Sequence, residues 1–345
     1  MGKTEEIGCL LKFFAKRLIF FSIFVAFVFF LGGRHISLFI QLPQGPWMSL
    51  VVLGIAASVF TTLTMGILYG SQRFIEVSWD SFLSGFVKLL SGWIFVLLGW
   101  GILGGMMGFV LGFVVFLVMS AFQTAHQFPF EKDRCPKHLL DRREIYNYFF
   151  PTALCVFSLF ALSNMDVILV KHFFSPSEAG HYSVAQIVGK IVLFLPSAVG
   201  VVMFPKIAEA QARGEGGVGI LLRCLAVVAA LCGAAFVFAV VFPDFILKVL
   251  TGQYHPESVG LVKWFAFSMS LYALVNIFGL YFLSLHKNGY IFALTVAVGL
   301  QAGGFWLFHE SLVQILMILS VASALLMILG LFFMRRSISY EKSKR

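Results

Sequence analysis

Two apolar runs, YFFPTALCVFSLFALSNMDVILV over 148–170 and SVAQIVGKIVLFLPSAVGVVMFP over 183–205, are joined by a short polar turn, KHFFSPSEAGHY. A helix of about 22 residues extends roughly 33 Å at 1.5 Å per residue, enough to cross a bilayer. Within hydrocarbon every backbone N–H and C=O must be satisfied inside the segment or in a closed barrel. The runs show none of the period-two alternation of a barrel strand, so helix is the remaining solution. Asp166 and Lys190 fall inside these runs, and an ionisable group within a span is costly enough to be read as functional.

The same pattern recurs along the chain. Of the 345 residues 60% are hydrophobic and only 12% charged, and the mean hydropathy is +0.94, values outside the range of soluble domains. About ten spans are expected, at 13–32, 48–69, 82–100, 102–122, 148–170, 183–204, 219–242, 260–284, 289–308 and 311–333. The fold class is therefore an all-α polytopic membrane protein with helices in two bundles of four and six. The first lobe is expected over 1–122 and a cytoplasmic amphipathic linker over 123–147. A C-terminal lobe over 148–334 and a basic tail over 335–345 complete the chain.

Orientation follows from the basic residues. With the N-terminus in the cytoplasm, Lys3, Lys12, Lys16 and Arg17 lie inside, as do Lys132, Arg134, Lys137, Arg142 and Arg143 and the Arg335–Arg345 tail. Only Arg34, Lys171, Lys248 and Lys263 fall outside. Such asymmetry places both termini in the cytoplasm. The net charge of +9 is thus an insertion signal dispersed over short connections, and no nucleic-acid partner is expected. The five cysteines show no metal-ligand spacing, and no metal site, disulfide framework or cofactor is implied. The first apolar run lacks a small-residue cleavage pattern and is read as a retained span.

Weaker signals concern organisation. The span at 13–32 with HISLFIQLP and a following span ending MGILYGSQRF echoes the span at 219–242 with PDFILKVLTG and a span ending FGLYFLSLHKN, near 210 residues later. Internal repeats of this kind build many secondary transporters. On that reading spans one to four correspond to spans seven to ten, and the expected architecture is a six-plus-six pseudo-two-fold fold lacking counterparts of its first two helices. Pro196 is expected to kink span six and to free a carbonyl four residues earlier. Gly104, Gly108 and Gly112 form a small-residue stripe on span four, expected to be a close-packing face. The 41 phenylalanines are expected to face lipid or the bundle core.

One segment points to a family. SNMDVILVKHFFSPSEAGHYSVAQIVGKIV, followed by LPSAVGVVMFPKIAEAQARG, resembles the seventh and eighth spans of the bacterial oligosaccharide flippases of the multidrug/oligosaccharidyl-lipid/polysaccharide exporter superfamily. The matching features are Asp166, the outer turn Glu178–Ala179–Gly180 with Tyr182, and Pro196, Phe204 and Pro205 on the next span. MGILYGSQRF is similar to the end of that family's fourth span. Members usually carry twelve or more spans, so the ten expected here depart from the pattern at the N-terminal lobe.

The resemblance implies a flippase that moves a polyprenyl-diphosphate-linked oligosaccharide, such as an O-antigen or capsule repeat unit, from the cytoplasmic to the outer leaflet by alternating access. It implies the bacterial inner membrane, a lipid-linked glycan substrate, and neighbouring glycan polymerases or glycosyltransferases as partners. Lys190 is then the candidate for the phosphates; the alternatives are snorkelling to the interface or simple pairing with Asp166. The Asp166–Lys190 pair could also couple transport to a proton or sodium gradient. Lys88 and Arg223 are expected to be anchors at the cytoplasmic headgroups or, if they face the cavity, attractors of the diphosphate. Asn164, Gln186, Asn276 and Gln301 are polar groups within spans, expected as helix–helix hydrogen-bonding pairs or sugar contacts. No catalytic residue is expected, and no phosphate-binding G-x-x-x-x-G-K-[ST] loop is present. The competing readings are a drug or cation exporter, for which Asp166 is the sole buried acid expected, a membrane glycan polymerase or ligase, and an inactive shortened form.

Overall fold

The computed structural model describes residues 2–39, 41, 47–71, 73–127, 142–213, 217–252 and 256–344. Among them every regular element is helical. The chain is a multi-pass membrane protein: among the described residues eight helical stretches are long and apolar enough to cross a bilayer. A further candidate, Ala15–Phe29 with Leu31–Phe39, is bent by 60°. Large apolar side chains face outward throughout; Phe20 and Ile75 are 75% exposed and Leu89 77%. Patches of that extent on a water-soluble protein would drive association, whereas lipid covers them at no cost. The chain divides into two compact units, Met1–Asp141 and Arg142–Arg345. The centre of the expected linker, 128–141, lies outside the described residues, and the helices on either side extend into the rest of it.

The first unit contains α1 (Gly2–Phe39), α2 (Trp47–Gly70), α3 (Phe74–Phe95) and α4 (Gly101–Gln127). The longest apolar stretch, Phe74–Ala125, folds back on itself where Gly99 and Gly101 adopt φ of +88° and +51°. Side chains rarely tolerate that region, which is why glycine stands at both positions. The glycine stripe of α4 is then pressed onto α3. A Cβ on Gly104 would lie 2.8 Å from Phe95, and one on Gly108 would lie 2.5 Å from the Gly92 backbone. At Gly112 it would overlap the Lys88 stem.

The second unit is built around α10 (Pro256–Ser284), whose Phe265, Met269, Val275 and Tyr281 are fully buried. Packed around it are α5 (Arg142–Phe173), α6 (Pro176–Phe194), α7 (Ser197–Ala212), α8 (Val218–Val241) and α12 (Leu312–Lys344). α11 (Asn288–Leu307) lies chiefly against α5 and α12. A short helix, α9 (Pro243–Thr251), buries Pro243 and Leu247 while Phe245 and Val249 face out, and it stops at Gly252 in the left-handed conformation.

The expected single span over 183–204 is two helices, α6 and α7, with the buried Pro196 between them. Pro196 carries no N–H for the Val192 carbonyl. The thiol of Cys232, on α8, donates to that carbonyl at 3.9 Å. A neighbouring helix thus supplies the hydrogen that the proline removes, as hydrocarbon requires.

Candidate functional site

The α5–α6 hairpin is shaped by its turn. Ser175 caps α6, accepting from the Glu178 N–H while the Glu178 carboxylate accepts from the Ser175 N–H, and Pro176 occupies the first helical position. Starting α6 at this point puts Tyr182, Gln186 and Lys190 four residues apart on one face, directed at α5. Tyr182 is fully buried and donates to Asp166 Oδ2 at 2.9 Å. Gln186 Nε2 lies 3.4–3.5 Å from both carboxylate oxygens of Asp166. Asp166 itself is 0% exposed.

Lys190 is half-buried, and its ammonium donates at 2.7 Å to the Ser163 carbonyl and at 2.7 Å to Asn164 Oδ1. Asn164 in turn donates to the Phe160 carbonyl at 2.8 Å and to Ser163 Oγ at 2.9 Å. Among the described residues no carboxylate lies within 4.0 Å of Lys190. The two charges therefore occupy one interface without meeting: Asp166 is held by Tyr182 and Gln186, and Lys190 by neutral oxygens one turn away on α5.

The same stretch of α5 is gripped from other sides. Tyr272 of α10 donates to the Leu159 carbonyl, and Gln301 of α11 donates to the Leu162 carbonyl at 2.9 Å. Three successive side-chain donors on three helices thus reach the carbonyls of residues 159, 162 and 163. Such bonds hold helices together where no hydrophobic driving force between them exists. Asn276 is half-buried on α10.

The remaining candidates stand on other helices. Lys88, on α3, places its ammonium 4.1 Å from the Phe113 ring centre and 4.9 Å from that of Phe109, a cation–π arrangement. Arg223, on α8, is exposed beside Lys206 of α7.

The sequence reading missed Asp80, having assigned it to the connection before a span beginning at 82. α3 begins at Phe74 instead, and Asp80 is 0% exposed within it. Gln123 of α4 donates to Asp80 Oδ1 at 2.9 Å, while Asp80 Oδ2 and Gln123 Oε1 have no hydrogen-bond partner among the described residues. A signal was present: Glu76, Asp80, Ser84 and Lys88 recur every four residues, a polar stripe of helical period between outward-facing Ile75, Trp79 and Phe82. Ser84 continues the stripe by donating to the Gly112 carbonyl at 2.9 Å. Asp166 is accordingly not the sole buried acid. Among the described residues no group of three or more His, Cys, Asp or Glu side chains is placed to hold a metal ion.

Residues 13–260 match the family described as polysaccharide biosynthesis protein. The chain belongs to this family. The resemblance read from Asp166 to Pro205 is borne out, and the family fits an all-helical membrane chain. The fold is similar to an outward-facing multidrug resistance MATE family transporter of the MOP superfamily (TM-score 0.70, 13% identity, 100% of this chain and 80% of that one). It is also similar to the lipid II flippase MurJ in an inward closed conformation (TM-score 0.67, 14% identity, 98% and 73%). A MATE in the bent conformation gives a TM-score of 0.65 at 13% identity, covering 95% and 77%. At such identities these likenesses speak to fold alone. No curated protein matches the chain.

Proposed function

We propose that this family member is a flippase for a polyprenyl-diphosphate-linked oligosaccharide, working by alternating access in the bacterial inner membrane with both termini cytoplasmic. The observation that carries the reading is the family match over 13–260 in a chain with an exporter fold. Physical chemistry divides the labour. The prenyl tail can remain in lipid, so the protein must shelter only the sugars and the diphosphate. Lys190 suits the diphosphate because its charge is solvated by a carbonyl and an amide oxygen rather than cancelled by a carboxylate. An incoming phosphate would find a cation with no carboxylate in direct contact, in a low-dielectric setting where the attraction is stronger than in water.

Asp166 takes a different part. Fully buried behind Tyr182, it orients the face of α6 that carries Lys190, and it is the group through which a proton or sodium gradient would couple to transport. Glycosyltransferases and glycan polymerases would supply and consume the substrate, and the protein itself has no catalytic step to perform. The second buried acid, Asp80, favours drug or cation export as the competing reading, since cation binding draws on buried carboxylates.

The test is surface polysaccharide in a host whose export depends on this chain. Lys190→Ala and Lys190→Gln should abolish it at unchanged membrane insertion, while Lys190→Arg should retain part. Full export by Lys190→Ala would reduce this residue to a tie between α5 and α6.

A further inference from the structure

An open groove of about 510 Å³ runs between α7 and α8. Val199, Val202 and Lys206 line it from α7, and Ile220, Arg223 and Val227 from α8. Both cations are exposed and lie about two turns from the connection that joins the helices. The nearest acid on α7 is Glu209, which is already engaged by Arg213 at 2.5 Å. Among the described residues neither Lys206 nor Arg223 has a carboxylate within 4.0 Å. The groove is thus mostly apolar in its lining, and among the described residues its two cations have no carboxylate within 4.0 Å.

We propose that this groove holds an anionic phospholipid of the bilayer, its phosphate between Lys206 and Arg223 and an acyl chain along Val202 and Val227. The complementarity is of both kinds that a lipid offers: a negative head and an apolar tail joined end to end. Snorkelling explains a lone cation near a helix end. Two cations from different helices converging on one apolar slot supply a binding geometry as well. The lipid has a mechanical consequence, because α7 is separated from α6 by the break at Pro196 and is not held in line by a continuous helical ladder. A lipid spanning the groove pins α7 to α8 below that break. This inference is independent of what the protein transports.

The full chain, purified in detergent, is heated with phosphatidylglycerol or with phosphatidylcholine at equal mole fraction, and retained lipid is counted by native mass spectrometry. Phosphatidylglycerol should raise the unfolding midpoint further and remain bound. At about fivefold from each cation, Lys206→Gln with Arg223→Gln should weaken apparent phosphatidylglycerol affinity roughly 30-fold. The response to phosphatidylcholine should stay as it was. Val227→Trp, which fills the groove at an exposed position without changing charge, should give the same loss. Equal stabilisation of the wild type by both lipids would overturn the proposal. So would an undiminished phosphatidylglycerol response in both variants, or protection by a polyprenyl diphosphate alone.

Discussion

Removing the Tyr182 hydroxyl should expose how the α5–α6 hairpin is held. Tyr182→Phe leaves the ring in place and deletes the 2.9 Å bond to Asp166. Among side-chain donors the carboxylate then keeps the 3.4–3.5 Å contacts from Gln186, close to the limit at which a hydrogen bond retains strength. Side-chain hydrogen bonds between membrane helices average about 0.6 kcal/mol, with a maximum near 1.7. Bonds to a charged acceptor are roughly twice as strong as neutral ones. The pair should therefore couple by about 1–2 kcal/mol. The appropriate assay is a double-mutant cycle of Tyr182→Phe and Asp166→Ala, followed by reversible unfolding in mixed micelles, because the cycle isolates the pair from the separate costs of each change. Additivity within about 0.3 kcal/mol would refute the claim that Tyr182 holds Asp166, whatever the single variants did.

Other outcomes follow from the packing. Gly108→Ala sets a Cβ against the Gly92 backbone, which cannot move aside, and should cost about 1–3 kcal/mol or more. Gly112→Ala meets only the flexible Lys88 stem and should cost less; thermal unfolding of the two variants in detergent would rank them, and the reverse order would contradict the packing described. Cys232→Ala strands the Val192 carbonyl and should destabilise by about 0.5–1.5 kcal/mol, whereas Cys232→Ser supplies a stronger donor and should not. Asp80→Asn provides a second donor where Asp80 Oδ2 and Gln123 Oε1 have none. It should leave stability unchanged or higher, and a loss above about 1 kcal/mol by the same assay would show the carboxylate to be needed.

Much of the fold is legible in the residues because lipid imposes few solutions. The apolar runs and the Pro196 interruption act locally, through backbone satisfaction and helix length. The Asp166 segment was readable for a related reason, since charged residues inside an apolar run stand out. The partners were not. Whether Lys190 reaches Asp166 or Asn164 depends on the rotation of α6 about its axis, which the cap at Ser175 and the packing on α10 set together. Asp80 was hidden by averaging: a stripe of Glu76, Asp80, Ser84 and Lys88 lowers the hydropathy of its window although most residues between them are apolar. The thiol of Cys232 could not have been matched to Val192 across 40 residues without the packing of α8.

The central claim is that this chain carries lipid-linked glycan across a bilayer. It is tested most directly by reconstituting the full chain in liposomes holding a polyprenyl-diphosphate oligosaccharide on one leaflet and following access to a membrane-impermeant sugar-binding probe on the other. Wild-type protein should accelerate crossing well above empty liposomes, and Lys190→Gln should return it to their level. Crossing no faster than in empty liposomes, with drug-like cations moved instead, would contradict the account.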